Sequence, residues 1–126
     1  MWPFLIKLRD KVSSMLKKLH RMQKKANYRN VFAHGKSFTS KYVVIYIFKL
    51  ETARYGIIAS KIIGNAVKRN RAKRLLREVV RLNLTKLNND YQMILIARGS
   101  IVHATFEEVE KAAIMIWKKA GIYNNV

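Results

Sequence analysis

The sequence contains no cysteine, which excludes disulfide cross-links, thiolate nucleophiles and cysteine-based metal sites and fits a reducing cytosol. Its five glycines stand apart from one another, so they form no glycine-rich phosphate loop followed by Lys-Ser or Lys-Thr. Acidic residues are scarce, seven in all. Glu107, Glu108 and Glu110 open the last predicted helix, where the helix dipole favours them, and read as structural. The remaining four, Asp10, Glu51, Glu78 and Asp90, stand one to a segment. A protein-built two-metal nuclease centre needs several convergent carboxylates, and this pattern does not provide them. His20, His34 and His103 lack the short spacings of a metal site and read as surface or turn residues. The longest apolar run, residues 42–48, is far short of the roughly 20 residues that span a bilayer. Charges interrupt every candidate signal-peptide core, so no signal peptide is expected. No catalytic residue and no protein-held metal is expected. Any catalysis involving this chain should draw its reactive centre from a partner.

What the chain has in abundance is positive charge. Its 26 Lys and Arg outweigh the seven carboxylates to give a formal net charge of +19, and a polyanionic partner is the economical explanation. Residues 1–35 contribute +8, residues 36–65 +4, residues 66–81 +6 and residues 82–126 only +1. The N-terminal and central elements therefore carry nearly all of it. With 126 residues, half of them hydrophobic, the chain is long enough for one domain with a real core.

Leu5, Leu8, Val12, Met15, Leu16 and Leu19 recur at helical spacing among lysines, predicting a basic amphipathic helix. Its stripe is expected to pack on the domain, with a membrane-surface anchor as the alternative. A second helix is predicted over residues 24–33, ending at Gly35. Residues 42–48 read as a strand apolar on both faces and hence central, and residues 54–60 as a second strand. A long helix then runs to about Asn83, residues 91–97 form a third strong strand, and Thr105 caps a helix ending near Ala120. The predicted order is α-β-β-α-β-α.

The long central helix carries the strongest pattern. Asn65 is placed to cap it by accepting a hydrogen bond from Arg69 or a neighbour in the first turn, and Gly64 allows a sharp entry. At 100° per residue, Arg69, Asn70, Lys73, Arg74, Arg77 and Arg81 share one face, while Ala72, Leu75, Leu76, Val79 and Leu82 lie opposite. One face can be buried and the other can grip phosphate.

Residues 60–78, Ser-Lys-Ile-Ile-Gly-Asn-Ala-Val-Lys-Arg-Asn-Arg-Ala-Lys-Arg-Leu-Leu-Arg-Glu, closely resemble the signature of the bacterial ribonuclease P protein component, including its Arg-Asn-Arg triplet. The resemblance extends upstream through Leu19-His20-Arg21-Met22 and residues 28–37, and downstream through residues 94–98 and 118–121. It sets residues 19–126 apart as an RNA-binding domain and leaves residues 1–18 as a basic N-terminal extension. Ile62 departs from it, standing where the family commonly has a second lysine, and Lys41 stands where arginine is frequent.

The resemblance implies an α+β fold: a small α-β sandwich with a central sheet and a left-handed βαβ crossover, like the second domain of a small-subunit ribosomal protein. It implies a cytoplasmic protein subunit of ribonuclease P. Such a subunit binds a catalytic RNA and the 5′ leader of precursor tRNA, assisting endonucleolytic removal of the leader by the RNA, with Mg²⁺ held mainly by that RNA. The positions implied for catalytic-RNA binding are Lys61, Lys68, Arg69, Asn70, Arg71, Lys73, Arg74 and Arg77. Those implied for the leader are the aromatic Tyr28, Phe32 and Tyr46, flanked by Lys36 and Lys41. No membrane partner and no obligate protein partner is expected. The alternative from charge alone is a non-catalytic RNA-binding protein of ribosomal type.

Overall fold

The computed structural model describes residues 21–22 and 25–124; the amphipathic extension and His20 lie outside the described residues. Helix α1 (Lys25–His34) leads into strands β1 (Lys36–Thr39), β2 (Val43–Lys49) and β3 (Arg54–Ile58). Helix α2 (Ala66–Asn83), strand β4 (Tyr91–Ala97) and helix α3 (Phe106–Lys119) follow, with short 3₁₀ turns at Lys61–Ile63, Leu84–Lys86 and Gly99–His103. The strands form one mixed sheet in the order β1-β2-β4-β3. β2 pairs antiparallel with both β1 and β4, and β3 pairs parallel with β4.

The two strands predicted as the strongest, β2 and β4, occupy the middle of the sheet. The chain adds one element to the expected order, the edge strand β1. Its sequence, Lys-Ser-Phe-Thr, has a single large apolar residue and is mostly exposed, so no alternation betrays it. β3 ends at Ile58 rather than residue 60, because the chain turns there into the 3₁₀ segment.

Each face of the sheet is covered differently. β2 alternates strictly: Val43, Ile45 and Ile47 are buried, while Val44, Tyr46 and Phe48 are half-buried. The first set joins Met93, Leu95, Leu76, Val79, Val109 and Trp117 in the main core beneath α2 and α3. Each such fully buried side chain contributes about 1.5–3 kcal/mol. The Trp117 indole N–H donates to the Met93 sulfur at 3.1 Å, so the largest core side chain leaves no polar atom stranded. On the other face, α1 lays Val31 against Ile94 and Met22, with Tyr28, Tyr46, Phe48, Ile58 and Ile96 around them. That face is only partly roofed.

Candidate nucleic-acid interface

The start of α2 is built by two residues. Gly64 adopts φ +129°, a region where a side chain would be strained. Asn65 then caps the helix, its side-chain oxygen accepting from the Lys68 amide at 3.0 Å while its backbone carbonyl accepts from Arg69. Ala72, Leu75, Leu76, Val79 and Val80 are buried beneath the helix. Lys68, Asn70, Arg74 and Arg77 are exposed, Arg69 and Lys73 are half-exposed at the flank, and Lys61 is exposed on the preceding turn.

Leu82, expected on the buried side, is 41% exposed. It lies about 90° from the middle of the inward stripe, and Asn83 takes the inward position instead. Asn83 is buried yet fully engaged. It donates to the Val79 carbonyl at 2.7 Å and to Glu110 at 3.1 Å, and accepts from the Tyr123 hydroxyl at 2.9 Å. Arg81 is held by an ion pair with Glu78, which removes it from the open cationic face.

Arg69 and Arg71 do not act on the same side. Two residues of helix rotate a side chain by about 200°, and Arg71 emerges on the far flank. There its guanidinium donates to the Ala104 carbonyl at 3.1 Å and reaches the Val102 carbonyl at 3.5 Å. It fastens the Gly99–His103 turn to α2. A guanidinium has five N–H donors, so this leaves others for a second ligand.

The three aromatic side chains expected to line a cleft all lie on the α1 side of the sheet. Phe32 of α1 meets Tyr46 of β2 edge-to-face, with ring centroids 4.9 Å apart and an interplanar angle of 77°. One helical turn earlier, Tyr28 donates from its hydroxyl to the Met22 carbonyl at 3.3 Å. Phe32 is 40% exposed, well outside the core. Across the sheet, Ser37, Tyr46, Ile94 and Gly56 lie on one row of paired residues. With strands about 4.8 Å apart, Tyr46 and Gly56 stand roughly 10 Å from each other.

The two flanking lysines are placed differently. Lys36 pairs with Ile47, whose side chain enters the core beneath α2 and α3, so Lys36 points away from the aromatic face. The alternation of a strand decides this. Lys41 lies in the β1–β2 turn with its ammonium 5.4 Å from the Tyr42 ring centre. Beside it, Arg98 donates to the Ser40 carbonyl at 2.7 Å, and the Ser100 hydroxyl donates to the Lys41 carbonyl.

Arg21 carries no assignment from the sequence. It forms a bridge alongside Tyr55 on the free edge of β3, and the next amide, Met22, donates to the Tyr55 carbonyl at 3.1 Å. Burial raises the Tyr28 hydroxyl above its usual pKa, and the positive charges of Arg21 and Arg77 pull it partly back. Arg21, and Arg77 of α2, thus both place positive charge within electrostatic reach of Tyr28. No local sequence signal joins Tyr28 to Arg77, which the fold alone brings together.

Among the described residues, no group of three or more His, Cys, Asp or Glu side chains is gathered as a metal site, and no helix is long and apolar enough to cross a membrane. His34 and His103 are exposed. A partly roofed sheet bearing open aromatic rings, bordered by a helix with a cationic flank, defines a nucleic-acid-binding protein of the α+β class.

The comparisons narrow that class. The ribonuclease P family model matches residues 16–121. The ribonuclease P protein component of Clostridium novyi is 37% identical over 86% of this chain and all of its own length. That of Clostridioides difficile is 41% identical over 80% of this chain and 91% of its own. Among solved structures, a mutant of the Staphylococcus aureus RNase P protein superposes with a TM-score of 0.79 at 27% identity, covering 90% of this chain and 98% of that one. The Thermotoga maritima RNase P protein gives 0.71 at 25% identity, covering 79% and 96%. The chain belongs to the ribonuclease P protein family and is a protein subunit of that endoribonuclease.

Proposed function

We propose that the subunit holds two RNAs at once: the catalytic RNA along the cationic flank of α2, and the single-stranded 5′ leader of precursor tRNA on the aromatic face. Lys61, Lys68, Arg69, Asn70, Lys73 and Arg74 form the first surface, and Arg71 joins it through the N–H groups that the Val102 and Ala104 carbonyls leave open. A-form RNA hides its base edges in a narrow major groove, so these residues grip backbone and shape rather than sequence. Arginine suits that work because its planar fork matches two phosphate oxygens.

On the second surface, leader bases stack on Phe32, Tyr46 and Tyr28, each stack contributing about 1–3 kcal/mol with little sequence preference. Arg77 and Arg21, whose charges reach the Tyr28 hydroxyl, take the leader's phosphates, and Lys41 extends the cationic border. Mg²⁺ belongs to the RNA in this reading. Three of the four carboxylates of α2 and α3 fit it, since Glu78 pairs with Arg81, Glu110 accepts from Asn83, and Glu108 caps α3. By neutralising phosphate repulsion between the two RNAs, the subunit lowers the Mg²⁺ concentration needed for cleavage, as expected of a cytoplasmic enzyme.

The observation that carries this reading is the partly exposed aromatic pair of Phe32 and Tyr46, 4.9 Å apart on the α1 side of the sheet, while the exposed cations of α2 stand on the helix packed against the other side. Reconstitution with the host's catalytic RNA at low Mg²⁺ tests it. Tyr28→Ala should weaken binding of precursor tRNA by about five- to a hundredfold, the range of one lost stack, while mature tRNA binds as before. Equal losses for both tRNAs would remove the leader from this face.

A further inference from the structure

Gly56 lies inside β3 with ordinary strand geometry; the positive-φ glycines among the described residues are Gly64 and Gly121. Backbone conformation therefore does not require glycine at this position. What requires it is space. A Cβ built at Gly56 would lie 2.6 Å from Cε1 of Tyr28, 3.0 Å from Cζ and 3.1 Å from the hydroxyl oxygen. The ring rests directly on the β3 backbone, in the way that a glycine inside a strand permits.

Neighbouring contacts make that seat rigid. Met22 is fastened to β3 through the Tyr55 carbonyl at 3.1 Å, and the Tyr28 hydroxyl is fastened to Met22 at 3.3 Å. Tyr28, Met22, Tyr55 and Gly56 thus close a short circuit around the ring. A methyl group at residue 56 cannot be accommodated by swinging the ring sideways without breaking the hydroxyl bond. It must lift the ring away from the β3 backbone.

We infer that Gly56 is a positioning residue for leader recognition: by lacking a side chain it sets how deeply Tyr28 sits against β3, and so where its ring stands for the leader. The inference rests on the leader reading given above. It assigns to a residue with no functional group a part in discriminating precursor from mature tRNA.

A double-mutant cycle on the reconstituted holoenzyme tests it, with Gly56→Ala, Tyr28→Ala and the double variant each assayed for affinity toward precursor and mature tRNA and for thermal midpoint. Gly56→Ala should weaken precursor binding roughly tenfold, within the effect of one misplaced stack, and leave mature tRNA unchanged. In the Tyr28→Ala background the same substitution should have no further effect on precursor binding, because there is no ring to lift. If Gly56→Ala alone fails to fold, the double variant should fold and bind precursor as Tyr28→Ala does.

An undiminished Gly56→Ala loss in the absence of Tyr28, or an equal loss of mature tRNA, overturns the inference. A thermal midpoint coupled between the two positions while neither variant alters precursor binding also overturns it, reducing the seat to a packing contact. The leader reading fails separately, through Tyr28→Ala alone.

Discussion

Helices α2 and α3 lie on the same side of one sheet, yet the third residue of each helix carries opposite charge. In α3 that residue is Glu108, which completes a capping box: Thr105 accepts from the Glu108 amide, and the Glu108 carboxylate accepts from the Thr105 amide. Glu107 and Glu108 open this helix, Lys118 and Lys119 close it, and every charge agrees with the helix dipole. In α2 the equivalent residue is Lys68. Its first turn contains no acid, and Lys68 and Arg69 oppose the same dipole. α3 is charged for its own stability, whereas α2 gives up a little stability to present cations.

The contrast can be broken most severely by removing the charge of α2. Replacing Lys68, Arg69, Lys73 and Arg74 together with alanine should flatten the salt dependence of catalytic-RNA binding by about three units of slope and cost a hundredfold or more in affinity. Neutralising Lys111, Lys118 and Lys119 of α3 should change neither. Equal losses from the two helices would end the distinction.

Thr105→Ala removes the cap of α3 and should lower stability by about 1 kcal/mol. Urea unfolding measures this, and RNA affinity should stay as it was. A smaller and more pointed change is Lys68→Glu, which gives α2 the charge that α3 already has. It should raise stability by about 0.3–1 kcal/mol at low salt while weakening RNA binding. A variant that gains or loses in both properties would contradict the idea of a traded charge.

The smallest effect is a pH dependence confined to α3. The Thr105 amide foremost, then the Tyr42 and Thr105 hydroxyls, hold the Glu108 carboxyl below its usual pKa of 4.5. A depressed carboxylate contributes stability above its unfolded value and loses it as pH falls through the folded one. Thermal melts between pH 6 and roughly pH 3 should therefore decline less steeply for Glu108→Gln than for the natural chain. An identical decline would show that the cap does not titrate with folding.

Much of this was legible in the residues themselves. The Gly64-Asn65 entry, the buried stripe of α2, the Thr105 cap and the two central strands each leave a local signal of period or chemistry. Other features leave none. β1 has only Phe38 to suggest a strand, and Lys36 could be assigned to a face only once its register with Ile47 was known. Arg71 reads as one more cation of a basic helix until the turn that carries Val102 and Ala104 is seen beside it. The aromatic face was expected through family likeness, since Phe32 and Tyr46 by themselves read as core residues. The reach of Arg77 and Arg21 to Tyr28 depends on which element lies at the sheet edge, a property of topology that no window of sequence contains.

The strict alternation along β2 has a consequence for how this molecule can change over time. Val43, Ile45 and Ile47 point to one side, and Val44, Tyr46 and Phe48 to the other. The sheet therefore works as a partition between two inheritances carried on a single heptapeptide. Odd-numbered positions are answerable to the main core beneath α2 and α3, and even-numbered positions to the half-open face roofed by α1. Variation in one set can proceed with little reference to the other, so a lineage can retune the α1 face without renegotiating its main core.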